Sequence, residues 1–166
     1  LVGQTDGHGR RAALKFQRSL EAREQGDNVE AVKCARQAHD IDPGFIPAAV
    51  IEARSLVDSG KLRKAASLIE LAWQLQPHPD FVHVYLAAKG ANNAAQKFQA
   101  TQHLAGLKPD HPESSIAVAA AALEAGMWDK AREYLQPLVA SGGSVRACRL
   151  MAELEESEHG DPSRGR

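Results

Sequence analysis

Apolar residues recur along the chain at helical spacing, and no apolar–polar alternation typical of a strand occurs anywhere. The stretches that they mark predict nine helices, over residues 11–25, 29–40, 46–59, 62–76, 80–91, 94–107, 112–125, 128–140 and 144–158. Each stretch has the length of an ordinary globular helix. The pattern therefore predicts an all-α fold.

Glycine, alanine and proline positions repeat along this pattern with one fixed period, the interval from Gly26 to Gly60. The first copy is carried by Gly26, Ala31, Ala38 and Pro43, and the second by Gly60, Ala65, Ala72 and Pro77. A later copy is marked by Pro109, Gly126 and Ala131, and a partial one by Gly160. The interval from Pro77 to Pro109 is shorter than the period, and the repeated glycine and alanines are not found at the corresponding positions within it. The third copy is therefore degenerate.

The repeat has a mechanical explanation. Glycine permits the left-handed residue that ends the first helix of a pair, and proline ends the second because it cannot continue the hydrogen-bond ladder. Alanine at fixed points lets paired helices approach closely. One pair cannot bury its own apolar face, so the copies must stack. We expect a right-handed α-solenoid of antiparallel helix pairs, with about four and a half repeats, as one domain over 1–166 (repeats 12–45, 46–79, 80–111, 112–145 and a partial 146–166).

These marks resemble the tetratricopeptide repeat (TPR), and several segments are similar to the HemY family of bacterial tetrapyrrole-pathway proteins. The similar segments are Ala72-Trp73 with Pro77-His78-Pro79, Pro109-Asp110-His111-Pro112, Gly126-Met127-Trp128-Asp129, and Leu150-Met151-Ala152-Glu153-Leu154. The resemblance implies an inner-membrane protein with an amino-terminal anchor, cytoplasm-facing repeats and a non-enzymatic link to haem biosynthesis. The chain lacks such an anchor, so it is expected to be a soluble fragment of a longer protein.

Composition narrows the classes of partner. Twenty Lys and Arg residues stand against twenty-one Asp and Glu residues, which leaves no basic excess for nucleic acid. The longest apolar run, 116–123, is far shorter than the roughly 20 residues of a membrane span. The two cysteines, Cys34 and Cys148, are expected to be small buried apolar residues rather than a disulfide framework.

No motif points to catalysis or to a metal. None of the seven histidines has the i, i+4 partner that would place two ligands on one helical face. We expect them to be surface or capping residues. A Gly-rich phosphate loop, a serine nucleophile elbow and a His-Glu-x-x-His motif are missing from the sequence. The chain is therefore predicted to be no enzyme and to hold no cofactor.

A repeat of this kind offers a partner groove lined by the first helix of each pair. Aligned on the glycines, the predicted groove residues are Phe16, Leu20, Arg23, Val50, Arg54, Asp58, Phe81, Val84, Ala88 and Ile116. A groove for a chaperone carboxylate tail needs Lys and Asn, where this chain has Phe16, Leu20 and Ile51. An apolar helix or extended segment is the expected ligand. Alternatively, Phe16 and Leu20 pack on an upstream helix.

The last predicted helix carries Leu150, Met151 and Leu154 with no following helix to cover them. Such a stripe predicts self-association, for example a homodimer. Three functions stay open: a protein-interaction scaffold for tetrapyrrole-pathway proteins, as the resemblance implies; a protein that binds haem or a porphyrin in the apolar groove; and a generic TPR adaptor without a link to haem.

Overall fold

The computed structural model describes residues 2–142 and 144–160, and their side chains over 7–142 and 144–158. The described residues form nine helices: α1 (Val2–Glu24), α2 (Asn28–Ile41), α3 (Ile46–Asp58), α4 (Leu62–Leu75), α5 (Pro79–Lys89), α6 (Ala94–Gly106), α7 (Pro112–Glu124), α8 (Trp128–Ala140) and α9 (Val145–Gly160). Within these residues no strand occurs, which confirms the all-α prediction. Residues 161–166 of the predicted partial repeat lie outside the described residues. None of the described helices is both long and apolar enough to cross a membrane.

The chain divides into two compact units, unit 1 (Leu1–Gly90) and unit 2 (Ala91–Arg166). In unit 1 each helix packs on the next, and α5 also packs on α3. In unit 2 the same order holds from α6 to α9, and α9 also packs on α7. Packing between successive helices is the arrangement that an α-solenoid requires.

The predicted turn glycines end their helices in the left-handed conformation. Gly26, Gly60 and Gly126 have φ of 80°, 70° and 67°. Gly90 does the same after α5, with φ of 63°. It lies nearer in sequence to Gly60 than to Gly126, so the third repeat has kept its turn glycine at a shifted position. The regular period therefore did not reveal it.

Replacing Gly60 with alanine should cost stability through backbone conformation alone. An added Cβ would meet no atom within 4 Å, but φ of +70° disfavours an L side chain. We expect Gly60→Ala to lower the free energy of unfolding by about 1 kcal/mol. Gly106, which also has open space and lacks a positive φ, is the control, and Gly106→Ala should be neutral or stabilise by about 0.5 kcal/mol. Urea unfolding followed by circular dichroism measures both, and equal effects would contradict the conformational explanation.

The repeated alanines are buried where paired helices meet. Ala31, Ala38, Ala65, Ala72 and Ala131 are at most 5% exposed. Beside them, the Ser19 hydroxyl on α1 donates to the Ala31 carbonyl on α2 at 2.7 Å. A larger side chain at these positions would separate the helices.

Helix α7 lies at the centre of unit 2. It packs against α6, α8 and α9, and most of its residues are buried: Glu113, Ser114, Ile116, Ala117, Val118, Ala119, Ala121, Ala122 and Leu123. A helix that is apolar on every side is suited to an interior position.

Two histidines cap helices in the same way. The Nδ1 atom of His78 accepts from the Asp80 backbone N–H at 3.3 Å, and that of His111 accepts from the Glu113 N–H at 3.2 Å. A proline follows each histidine and occupies the first turn, where no N–H is needed. The expectation of capping histidines is confirmed at these two positions.

The final helix is covered, which differs from the sequence expectation. Leu154 is fully buried in a cluster with Phe98, Val118 and Leu123, and Leu150 and Met151 pack against the same cluster. The reason is that α9 lies on both α8 and α7. The uncovered stripe of Leu150, Met151 and Leu154, on which the predicted self-association rested, is therefore absent.

Candidate functional site

The ten predicted groove residues fall into three environments. Arg23, Arg54 and Asp58 are exposed, and Phe16, Leu20 and Val50 are half-buried. The other four are between 1% and 6% exposed: Phe81, Val84, Ala88 and Ile116.

These four buried residues belong to the packing of the helices and do not line an open surface. Phe81, Val84 and Ala88 lie on α5, which packs on α3 and α4. Ile116 lies in a second cluster of unit 2 with Leu135 and Ala147. The physical reason for the difference on α5 is its packing on both α3 and α4, which buries this side of the helix.

Phe16 packs within unit 1. Its ring meets that of Phe45 edge-on, with 5.2 Å between the ring centroids. Phe45 lies immediately before α3 and serves as its N-cap residue. The ring of Phe16 therefore joins the first helix pair to the second.

An open cleft forms where α1, α2 and α3 meet in unit 1. It has a volume of about 580 Å³. Its lining residues are Ser19, Arg23, Asn28, Val29, Ala31, Val32, Ile51, Arg54, Ser55, Asp58 and Ser59. Three predicted groove residues, Arg23, Arg54 and Asp58, come together here, and we call this the Arg23/Arg54 cleft.

The Arg23/Arg54 cleft combines positive charge with apolar surface. Neither arginine has an ion-pair partner among the described residues, and both side chains are exposed. Val29 is 82% exposed, while Val32 and Ile51 are half-buried. A guanidinium group binds a carboxylate through two parallel hydrogen bonds, and the valines and isoleucine offer contact to an aliphatic side chain.

Sequence reasoning missed the contribution of α2 to this cleft. It assigned the groove to the first helix of each pair, whereas Asn28, Val29 and Val32 come from the start of the second. Val29 was the available signal, because it is a large aliphatic residue in the first turn of α2, two positions after the capping Asp27, where a solvent-facing residue would ordinarily be polar.

Other chemistry-bearing groups show no assembly of catalytic or metal type. In the described part of the chain, no three His, Cys, Asp or Glu side chains lie where they could hold a metal ion. Cys34 is buried, as expected, and burial raises the pKa of its thiol. Cys148 is exposed, so its predicted burial is wrong.

Comparison with known proteins gives one informative likeness. No model of a known protein family matches the chain, and no solved structure matches it. The chain is 29% identical over 155 residues to the "Probable magnetosome protein Mms48" of Magnetospirillum gryphiswaldense. The match covers 93% of this chain and 34% of that protein, so the chain spans about a third of the length of this relative. A helical-repeat fold with such a relative is compatible with a non-catalytic scaffold.

Proposed function

We propose that the chain is a non-catalytic scaffold whose Arg23/Arg54 cleft binds a protein segment carrying a carboxylate beside an aliphatic side chain. The observation that carries the proposal is the pair of exposed arginines, without ion-pair partners among the described residues, in a cleft with Val29 and Ile51. Asp58 adds one acceptor at the same cleft, suited to an amide or an amine of the ligand. The expected ligand is therefore more acidic than the apolar segment predicted from the sequence.

A peptide titration tests this function. The probe is a synthetic peptide of alternating leucine and glutamate residues, and its matched control has glutamine in place of glutamate. We expect the acidic peptide to bind, and Arg23→Ala and Arg54→Ala each to weaken binding about tenfold, because each removes a charge-assisted hydrogen bond. Isothermal titration calorimetry measures the dissociation constants.

The control variant for this titration is Arg63→Ala. Arg63 is an exposed arginine of unit 1 that lies on α4, away from the lining of the cleft. The Arg63→Ala variant should bind the acidic peptide as tightly as the unaltered protein does. Equal binding by the glutamate and glutamine peptides, or by the Arg23 and Arg54 variants and the unaltered protein, would contradict the assignment of the cleft.

We propose the setting of this scaffold from its relative. Because a protein matching 93% of the chain is described as a probable magnetosome protein, we place the partners of this chain at the magnetosome. Co-purification of the tagged protein with isolated magnetosomes should follow, and the Arg23→Ala/Arg54→Ala double variant should reduce it. If the same purification from cells without magnetosomes recovered an equal amount of the tagged protein, the result would contradict this setting.

The haem-related alternatives stay predictions. The resemblance to HemY implies tetrapyrrole-pathway partners and an inner-membrane location, and the comparisons add no support for either. The Arg23/Arg54 cleft has no histidine, cysteine, methionine or tyrosine among its lining residues, so direct haem binding there would have no axial ligand.

A further inference from the structure

A second exposed surface lies on α1, outside the Arg23/Arg54 cleft. Leu14 is 67% exposed, and it lines a depression of about 440 Å³ together with Arg11, Arg18 and Ile41. Arg11 and Arg18 are exposed. We call Arg11, Leu14 and Arg18 the α1 face.

The internal repeat shows what kind of element fits the α1 face. The repeat period carries Leu14 and Arg18 onto Ala48 and Glu52 of α3. Ala48 is fully buried, and the Glu52 carboxylate contacts α2 through His39 Nδ1 at 2.8 Å and Arg36 Nε at 3.7 Å. This side of α3 is thus the side on which the preceding helix packs. Among the described residues, no helix occupies the equivalent place on α1.

At the position equivalent to Glu52 of α3, α1 carries the basic residue Arg18, so the sign of the charge is reversed. On α3 the Glu52 carboxylate lies against Arg36 and His39 of α2, which are spaced i, i+3. The α1 face presents Arg11 and Arg18 instead. A helix that packs there in the manner of α2 should carry carboxylates at i, i+3 spacing beside small or apolar residues.

The outer side of α9 has this pattern. Glu153 and Glu156 are exposed and have i, i+3 spacing. Val145, which is 80% exposed, and exposed Ala152 share that side. Arg149 lies there as well, so the two glutamates and one arginine give the surface a net charge of −1. We call Val145, Ala152, Glu153 and Glu156 the α9 face.

We propose that the chain self-associates head to tail, with the α9 face of one copy packing on the α1 face of the next. The two faces differ, so the contact is heterologous and adds copies in a row unless the rotation closes a ring. Such an assembly would present the Arg23/Arg54 cleft many times, and it concerns a surface separate from that cleft. Its stability depends on exposed charges, so it weakens as salt screens them.

Paired charge reversal tests the head-to-tail contact. Variant A is Arg11→Glu/Arg18→Glu, and variant B is Glu153→Lys/Glu156→Lys. Sedimentation velocity of the unaltered protein at about 50 mM salt should show concentration-dependent association that weakens at least about tenfold at about 500 mM. Each variant alone should associate at least about tenfold more weakly than the unaltered protein, because one contact then joins like charges.

Mixing the two variants gives the decisive measurement. Variant A is acidic at the altered α1 positions and at Glu153 and Glu156 of its α9 face. Variant B is basic at Arg11 and Arg18 of its α1 face and at the altered α9 positions. Opposite charges therefore meet only when an α9 face of one variant packs on an α1 face of the other. We expect the equimolar mixture to associate at about the strength of the unaltered protein, and the control Arg63→Glu/Lys64→Glu to associate normally. A monomeric unaltered protein at low salt, a mixture as weak as its separate components, or association unchanged in variants A and B would each overturn the proposal. Circular dichroism checks that every variant is folded.

Discussion

Replacing Trp73 with alanine is expected to cause the largest loss of stability in unit 1, lowering the free energy of unfolding by about 3–5 kcal/mol. Trp73 is fully buried on α4, which packs against both α3 and α5. Truncation removes the largest buried side chain and leaves a cavity that the helices on two sides cannot fill. Urea unfolding monitored by circular dichroism measures the loss.

Two further substitutions make this result specific. Trp73→Phe keeps an aromatic ring and removes an indole N–H that is buried without a hydrogen-bond partner among the described residues. It should therefore cost far less than alanine, about 1 kcal/mol. Leu71→Ala, on the same helix but 64% exposed, should stay within about 0.5 kcal/mol of the unaltered protein. A similar loss at positions 71 and 73 would contradict the packing of α4.

Leu154→Ala is the corresponding test of unit 2, with an expected loss of about 3 kcal/mol in the free energy of unfolding. The side chain is fully buried between α9 and the cluster that contains Phe98 and Val118. If the residue instead lay on an open stripe, as the sequence suggested, the loss would be below about 1 kcal/mol and the variant would change self-association instead. Thermal unfolding and sedimentation velocity together separate the two cases.

The matched control for Leu154 is Val145→Ala. Val145 lies on the same helix and is 80% exposed. Its truncation should leave the free energy of unfolding within about 0.5 kcal/mol. A loss at Val145 comparable to that at Leu154 would show that α9 packs through a different side.

The helices could be predicted from the sequence because local signals coincide at their ends. Gly26, Gly60 and Gly126 mark turns that only a left-handed residue closes, and Pro43 and Pro77 follow the ends of α2 and α4. The start of α1 could not be predicted in this way. Gly3, Gly7 and Gly9 disfavour a helix by intrinsic propensity, yet α1 begins at Val2.

The candidate site was predictable only in part, because the direction of a side chain depends on the register of its helix. Arg23, Arg54 and Asp58 follow the regular period and reach the cleft. Phe81 lies within the shortened interval and Ile116 in the copy after it, and both are buried instead. Both kinds of position carry a similar local pattern. Only the packing of neighbouring helices distinguishes a groove residue from a core residue.

The division into two compact units gives the chain a built-in pair of spectroscopic reporters. Of its two tryptophans, Trp73 lies fully buried in unit 1, and Trp128 lies half-buried in unit 2. The emission of an indole depends on its contact with solvent, so the two rings differ in wavelength. With Trp128 replaced by phenylalanine, tryptophan fluorescence reports the unfolding of unit 1 alone. With Trp73 replaced by phenylalanine, it reports the unfolding of unit 2.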